Sequence, residues 1–304
     1  MGARAVLVGV AAATLAATAA AGRAAPPLPT EGVVVPTGPG PCGAAVRAGS
    51  LWVGVYGAGN VLRIDPRGRV AARIAVGRWA CRLAVGTAAV WVTRDRAGEV
   101  VRVDRTSGRR THVRVGSTPF DVLLAAGSVW VSRYDAGRVD RLEPIRGRRS
   151  ASVEVGSNPA GLAWCAGRIW VGHGRQATSL TALDPRTLRT TRVEVGAVTP
   201  GTPRCVFGEV WVTTADSLVR LDPHSGKVLA RLRLGGTPAD IVAAPDGLVW
   251  VSDKERSLVD RVDPSAAAIV DTFPAGAGAF SLGRLAGSVW VTRFAGADVR
   301  RFDP

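Results

Sequence analysis

Seven tryptophans recur along this chain at nearly constant spacing, and each follows a hydrophobic residue and precedes a valine. Successive members of the series lie 39 to 41 residues apart. A unit of about 40 residues is too small to bury its own apolar surface, so it must pack against copies of itself. Strand-rich repeats of this length are typical of propeller blades. The seven positions are Trp52, Trp91, Trp130, Trp170, Trp211, Trp250 and Trp290.

One repeat, from Thr118 to Gly156, contains four short apolar runs separated by glycine, proline or polar turns. Valine-rich runs bounded in this way are typical of β-strands. No stretch after residue 26 has the period of an amphipathic helix. The sequence therefore predicts an all-β, seven-bladed β-propeller of four-stranded antiparallel blades over residues 32–304, in one domain.

The two ends of the repeat region are complementary. The seventh unit stops after its third strand, at Val299 to Asp303. Val33 to Val35 stand where every other blade is preceded by a fourth strand. We expect this N-terminal strand to complete the seventh blade, because closing the ring removes the exposed edges of an open sheet.

Charged residues also recur at equivalent places in the repeat. Five units contain Arg-x-Asp in the third strand, which puts both side chains on one face. An aspartate before a proline also suits the start of a turn. We interpret these charges, like the tryptophans, as scaffold. The five pairs are Arg63 and Asp65, Arg102 and Asp104, Arg220 and Asp222, Arg261 and Asp263, and Arg301 and Asp303.

The first 25 residues form a separate segment. Arg4 precedes an alanine-rich apolar stretch, and small residues stand before Pro26. This pattern predicts a secretory signal peptide over residues 1–25 and a secreted or cell-envelope location. A retained membrane anchor is the alternative, although the stretch is short and weakly hydrophobic for a span.

The chain carries a formal net charge of +15 and its basic residues are almost all arginines, with Lys227 and Lys254 the exceptions. Such a charge favours an anionic partner: a small anion, a cell-envelope component or an acidic protein surface. The arginines are spread over every repeat without accompanying runs of aromatic residues, so we predict no specific nucleic-acid binding. We predict a monomer.

The repeat resembles the YVTN-type and streptogramin-lyase-like seven-bladed propellers, in which a strand-two tryptophan and a third strand ending in Asp-Pro recur from blade to blade. The resemblance covers about residues 32–304. Because propellers host many functions, it indicates architecture more than activity. The Gly-His and Trp-Asp signature of WD repeats is absent.

Departures from the repeat are the candidates for a site. We expect the loops between strands two and three to meet the inter-blade linkers around the central channel. Three residues after each tryptophan the chain has a mixed set that is rich in arginine, a side chain suited to carboxylate or phosphate. The alternative is that these arginines pair with Asp95, Asp135 and Asp253 on a solvated rim. The predicted ligand-binding residues are Arg94, Arg133, His173, Asp253, Arg293, Tyr134 and Trp79, with Phe120, Phe280 and Tyr56 nearby.

The predicted function is therefore an exported binding module with no cofactor. The alternative is a carbon-oxygen lyase, for which the resemblance implies a carboxylate after strand two, a histidine base and a divalent metal. Asp253 alone supplies a carboxylate at that step. His112 falls in an outer strand and His224 in a turn on the opposite face, which leaves His173 as the candidate base.

Four cysteines occupy matching places in neighbouring blades. Cys42 and Cys81 each precede their tryptophan by ten residues, and Cys165 and Cys205 precede theirs by five and six. Three connectivities are possible. Positional matching favours Cys42 with Cys81 and Cys165 with Cys205, and export permits disulfides.

Overall fold

The computed structural model describes residues 27–304, with the exception of Ser117 and Ala197. Its strands form seven separate sheets of four antiparallel strands. Six sheets are simple meanders of consecutive strands, as expected for blades that each come from one repeat. The predicted all-β, seven-bladed propeller is therefore confirmed. The predicted signal peptide lies outside the described residues.

The strands follow the repeat in chain order. The N-terminal strand is β1 (Thr30–Pro36). Blades one to three are β2 (Pro41–Arg47), β3 (Ser50–Val55), β4 (Asn60–Ile64), β5 (Val70–Ala75); β6 (Ala80–Val85), β7 (Ala89–Arg94), β8 (Glu99–Asp104), β9 (Arg110–Arg114); and β10 (Pro119–Ala125), β11 (Ser128–Arg133), β12 (Arg138–Leu142), β13 (Arg149–Glu154). Blades four and five are β14 (Pro159–Cys165), β15 (Arg168–His173), β16 (Ser179–Leu183), β17 (Thr190–Glu194); and β18 (Thr202–Val206), β19 (Glu209–Thr213), β20 (Ser217–Leu221), β21 (Val228–Arg233). Blades six and seven are β22 (Pro238–Ala243), β23 (Val249–Asp253), β24 (Leu258–Asp263), β25 (Ala268–Pro274); and β26 (Ala279–Leu285), β27 (Ser288–Arg293), β28 (Asp298–Asp303).

The ring closes through the N-terminal strand. β1 pairs antiparallel with β28, with Val35 opposite Val299 and Pro36 opposite Asp298. The seventh sheet therefore has the order β1-β28-β27-β26 and joins the two ends of the described chain. This is the closure that the missing fourth strand of the last repeat predicts.

The hydrophobic core lies between the blades. The buried apolar residues fall into seven clusters, and each cluster joins two neighbouring blades. All seven repeat tryptophans are at most 3% exposed and belong to these clusters or pack beside them. A tryptophan buries a large area of ring. Their interpretation as scaffold agrees with this packing.

The strand-three arginines tie blades together. Arg102 donates to the carbonyl of Pro144, Arg220 to that of Pro264 and Arg301 to that of Pro66, at 3.3, 2.7 and 3.3 Å. Each acceptor begins the turn between strands three and four of the following blade. The seventh blade lacks this turn, and there Arg261 donates instead to the carbonyl of Pro27 at 2.8 Å.

The aspartate at or just after the end of strand three organises the turn that follows. Asp104, Asp184 and Asp222 each accept two backbone N–H groups from the residues that follow them. These hydrogen bonds lower the pKa of each carboxyl group. The repeated charges are therefore committed to turns and blade contacts.

The propeller has two faces. The linker face carries the inter-blade linkers and the loops between strands two and three. The turn face carries the hairpin turns that join strands one to two and three to four. Among the described residues no helix is long and apolar enough to cross a membrane.

Candidate functional site

The predicted arginines at the end of strand two point back into their own blades. Arg94 Nη1 lies 2.7 Å from a carboxylate oxygen of Glu99, its cross-strand partner at the start of β8. Arg293 makes the same contact with Asp298 at 2.6 Å. Such pairs follow from register, because side chains directly opposite each other on paired strands lie close together.

Arg133 completes this set in blade three. Its Nη1 lies 3.5 Å from the buried carboxylate of Asp140, which also accepts from Ser152 and Arg149. The rim alternative expected Asp95, Asp135 and Asp253 as partners of the three arginines, and the structure pairs the arginines with Glu99, Asp140 and Asp298 instead. The reason is that the arginine is the last residue of its strand and meets the first residues of strand three.

The other two residues of the predicted ring are buried. Asp253 is 1% exposed and accepts from the backbone N–H of Thr237 and from Arg256, at 3.0 and 2.9 Å. His173 is 3% exposed, with Nδ1 at 2.8 Å from the carbonyl of Ser157 and Nε2 at 2.9 Å from Thr181 Oγ1. Burial lowers the pKa of His173 despite the hydrogen bond to Ser157. Its neutral ring therefore donates through Nδ1.

The side chains that face the channel belong to the residue that follows the end of strand two. Strand two ends three residues after the tryptophan in six blades, so the fourth residue leaves the sheet and turns toward the axis. In blades one, two, six and seven this residue lines a cavity of about 170 Å³ on the linker face, together with residues near the start of strand one of blades one, two, three and seven. We call this cavity the aromatic cup. Its lining is Cys42, Tyr56, Cys81, Arg82, Asp95, Phe120, Lys254, Phe280 and Phe294.

Four rings form the wall of the cup. Phe294 contacts both Tyr56 and Phe280, with ring centroids 5.9 and 5.6 Å apart and the rings inclined to each other. Phe120 stacks on Tyr134 at 5.5 Å, outside the cup. All four wall residues are half-buried and line the cavity.

Arg82 forms the base of the cup. The residue is 6% exposed and its guanidinium lies 4.8 Å from the ring of Phe280. The nearest carboxylate oxygen, on Asp240, is 3.7 Å away, and the guanidinium makes no hydrogen bond to any residue that the structure describes. Burial lowers the pKa of Arg82, against the opposing effect of Asp240 and Asp121. A buried guanidinium whose donors lack acceptors is suited to an anion.

A charge cluster crosses the channel beneath the cup. Asp240, from blade six, lies 3.7 Å from Arg82 of blade two and 2.7 Å from Arg204 of blade five. Asp240 also accepts from Ser281 Oγ at 2.6 Å and from backbone N–H groups. Blades five and six are neighbours and blade two lies across the axis from them, so the cluster spans the channel at the floor of the cup.

The rim of the cup carries two charges of opposite sign. Tyr56 donates to Asp95 at 3.2 Å, and burial together with that carboxylate raises the pKa of Tyr56. Lys254 lies over the ring of Phe294 at 5.8 Å and forms no ion pair with the described residues. Tyr56 is therefore a neutral hydrogen-bond donor at neutral pH.

Two aromatic residues of the predicted site stand beside the cup. Tyr134 stacks on Phe120, and the guanidinium of Arg175 lies 5.7 Å from the centroid of the Tyr134 ring. Trp79 is half-buried with φ +69°, and its backbone N–H donates to the carbonyl of Tyr56. Neither lines the cavity.

The cysteines are joined in the two positionally matched pairs. Cys42 bonds Cys81 across blades one and two, with Cα atoms 5.0 Å apart, and this disulfide lines the cup. Cys165 bonds Cys205 across blades four and five, with Cα atoms 5.3 Å apart, near the turn face.

Sequence reasoning missed Arg82, Lys254 and Phe294. A blade-by-blade comparison of strand one contains the signal for Arg82, because its position is occupied elsewhere by small or acidic residues. The equivalent residues in five other blades are Gly43, Asp121, Gly161, Asp240 and Ser281.

The donor set of the cup does not suit a divalent metal. Nowhere in residues 27–304, leaving aside Ser117 and Ala197, do three or more His, Cys, Asp or Glu side chains group closely enough to hold one. Within the cup, Asp95 is the single carboxylate, and Arg82 and Lys254 supply positive charge. His173 is turned into blade four.

Comparison with known proteins places the fold. No protein-family model and no curated protein matches the sequence. Virginiamycin B lyase from Staphylococcus aureus superposes with a TM-score of 0.78 at 14% identity, over 90% of this chain and 98% of that one. The chain shares this lyase's propeller fold.

Two other solved structures are nearly as similar. Hydrazine synthase from Kuenenia stuttgartiensis gives a TM-score of 0.75 at 16% identity, over 88% of this chain and 96% of that one. The WD40 propeller domain of Doa1 gives 0.73 at 11% identity, over 90% and 96%. At these identities the likeness shows the fold alone.

Proposed function

We propose that this protein is a binding module whose aromatic cup recognises a small organic anion with a flat apolar part. The observation that carries the proposal is Arg82, a buried guanidinium with unused hydrogen-bond donors at the base of a ring-lined cavity. The planar fork of arginine fits a carboxylate with two parallel hydrogen bonds.

The size and wall of the cup support a ligand of one ring. A volume of about 170 Å³ holds roughly six water molecules. Inclined aromatic walls favour a flat apolar group between them, and Lys254 at the rim adds a second positive charge. An aromatic monocarboxylate fits these features.

Export forms part of the same proposal. The apolar segment over residues 1–25 predicts secretion, and two disulfides are typical of oxidising compartments. The ligand would then be met outside the cytoplasm. Comparing the N-terminal sequence of the mature protein with the full chain tests the cleavage.

The binding test uses a pair of ligands that differ only in charge. Benzoate and its uncharged amide, benzamide, are titrated calorimetrically against the full mature protein. We expect benzoate to bind at least tenfold more tightly, because hydrogen bonds between charged groups are the stronger ones. Equal affinity of the two, or no binding of either, contradicts the proposal.

Two variants locate the binding. Arg82→Gln removes the guanidinium and should cost benzoate about tenfold or more in affinity, and Arg82→Lys should lose less because it keeps the charge. Arg94→Gln is the matched control, since Arg94 pairs with Glu99 inside its blade. If Arg94→Gln weakens binding as much as Arg82→Gln, the ring at the end of strand two is the site instead.

The lyase alternative rests on the shared fold with virginiamycin B lyase. The cup offers one carboxylate and no histidine, so no catalytic step is derived from it. Incubation of the protein with virginiamycin B and Mg²⁺, followed by mass spectrometry, tests this alternative. Conversion that stops on chelation or in His173→Ala would favour the lyase over the binding module.

A further inference from the structure

The turn face departs from the repeat at Phe207. In blades one, three, four and seven the turn between strands one and two is Ala-Gly, with the alanine in the left-handed region. Phe207 takes this place in blade five at φ +51° and is 56% exposed. A bulky residue with positive φ is strained. Four blades use alanine at this place, so the turn itself does not call for a large exposed ring.

Two further apolar departures lie on the same face. Ile145 follows the proline of its turn between strands three and four and is 71% exposed, where blades one, four, five and six have polar residues. Trp164 stands two residues before the turn of blade four and is 39% exposed. The Cys165–Cys205 disulfide holds Trp164 and Phe207 in neighbouring blades.

The same face is basic over blades one to four. The turns between strands three and four of these blades each carry two arginines against one carboxylate, and in blades two and three strand four begins with a third. Blade five has one lysine here and blade six no basic residue. Seven of these arginines are exposed and have no ion pair or side-chain hydrogen bond within the described chain. They are Arg67, Arg69, Arg109, Arg110, Arg146, Arg186 and Arg189.

The linker face lacks this combination. Among the large hydrophobic residues that the described chain exposes, Val198 alone belongs to an inter-blade linker or a loop between strands two and three. The aromatic residues of the linker face line the cup or stand half-buried beside it. Exposed apolar groups and unpaired cations therefore coincide on the turn face.

We propose that the turn face docks on an anionic lipid surface. The arginines of the basic turns contact the headgroups, and Phe207, Ile145 and Trp164 enter the interface between headgroups and acyl chains. Clusters of basic residues near exposed apolar side chains are typical of reversible membrane binding. The docked orientation leaves the cup open to solvent, because the cup is on the other face.

The apolar residues favour lipid over a soluble polyanion. A linear anionic polymer would be held by the arginines alone, in proportion to the charges it neutralises. It would gain nothing from three separate apolar side chains projecting from different turns. A bilayer interface gains from both, since it buries apolar groups and attracts cations.

The test is co-sedimentation of the mature protein with vesicles. Vesicles of phosphatidylglycerol and phosphatidylcholine in equal amounts are compared with vesicles of phosphatidylcholine alone. We expect binding to the anionic vesicles that weakens with salt, and at least tenfold less to the neutral ones. Absence of binding to the anionic vesicles overturns the proposal.

Two pairs of variants separate lipid from polymer. The double variant Phe207→Ala, Ile145→Ser should lower vesicle binding about tenfold, and Val198→Ser on the linker face should not. The triple variant Arg67→Gln, Arg109→Gln, Arg146→Gln should also lower vesicle binding. The linker-face variant Arg78→Gln, Arg96→Gln, Arg175→Gln has the same change in net charge and should not.

Two outcomes contradict lipid docking. If both triple variants lose vesicle binding equally, general charge is responsible, and if the apolar variants have no effect, the face binds a polymer. The benzoate titration of the cup is unaffected by either result.

Discussion

The two faces of this propeller are built from the same repeat and differ in where they place their large apolar side chains. On the linker face, Tyr56, Phe294 and their neighbours turn inward around the axis and form a cavity. On the turn face, Phe207 and Ile145 project into solvent. Each face has one disulfide between adjacent blades, at the cup and beside Phe207 respectively.

The difference follows from the position of each connection in the blade. Strand one is innermost, so the inter-blade linker that leads into it and the loop that follows strand two reach the channel. The turn between strands three and four lies toward the outside of the ring, and residues there spread away from the axis. A large side chain that departs from the repeat therefore adds to a pocket when it lies on the linker face, and to an exposed surface when it lies on the turn face.

The largest expected effect comes from removing either disulfide. Each closes a loop of similar length, with separations of 39 and 40 residues, so each should contribute about 4 kcal/mol to the free energy of unfolding. The double variants Cys42→Ala, Cys81→Ala and Cys165→Ala, Cys205→Ala should lose similar amounts in urea denaturation.

Function should separate the two disulfide variants. Loss of Cys42–Cys81 removes part of the cup wall and frees the strand that carries Arg82, so benzoate affinity should fall while vesicle binding persists. Loss of Cys165–Cys205 should do the reverse. If one disulfide variant loses both benzoate and vesicle binding, or loses only the activity assigned to the other face, the assignment of one site to each face is wrong.

Asp240→Asn should move stability and affinity in opposite directions. Asp240 is buried between Arg82 and Arg204, and breaking such a charge cluster costs about 3 kcal/mol. The same change removes the carboxylate nearest to Arg82, so benzoate should bind about tenfold more tightly. Thermal denaturation and calorimetry measure the two effects. A loss of affinity would mean that Asp240 orients Arg82 for binding.

The architecture was predictable because it repeats. Seven tryptophans 39 to 41 residues apart fix the number of blades, and a last repeat of three strands, β26 to β28, locates the partner of β1. Each inference uses an average over many equivalent positions, so an error in one blade changes little.

The candidate site was less predictable because it depends on single positions. Arg94, the last residue of strand two, pairs with Glu99 within its blade, whereas Asp95, the residue after it, lines the cup. An error of one residue in the predicted strand end therefore selects Arg94 in place of Asp95. Strand ends are the least certain feature of a sequence pattern. Arg82 was missed because a strand-one position looks like core until the blades are compared.

Acid should weaken the linker face through His173. Burial lowers the pKa of His173 below its ordinary value of 6.5, so the unfolded chain binds a proton there that the folded chain does not. Unfolding then takes up a proton. As the pH is lowered below about 6.5, the free energy of unfolding therefore decreases, by at most about 1.4 kcal/mol per pH unit.

Urea midpoints at pH 7.5 and 5.5 check this prediction. The wild-type protein should lose stability over that interval, and His173→Gln should lose much less because the amide does not titrate. An equal loss in both proteins would place the titrating group elsewhere.

The smallest expected effect tests whether the strained backbone at Phe207 is linked to vesicle binding by the turn face. Phe207→Gly relieves a left-handed backbone that costs a bulky residue about 1 kcal/mol, so the free energy of unfolding should rise by about that amount. Vesicle binding should fall, because the exposed ring is gone. Ala48→Gly is the matched control, with φ +48° at the same turn of blade one. It should gain a similar stability with no change in vesicle binding. If Phe207→Gly instead destabilises the protein, the ring packs as part of the scaffold and the turn face loses its strongest apolar anchor.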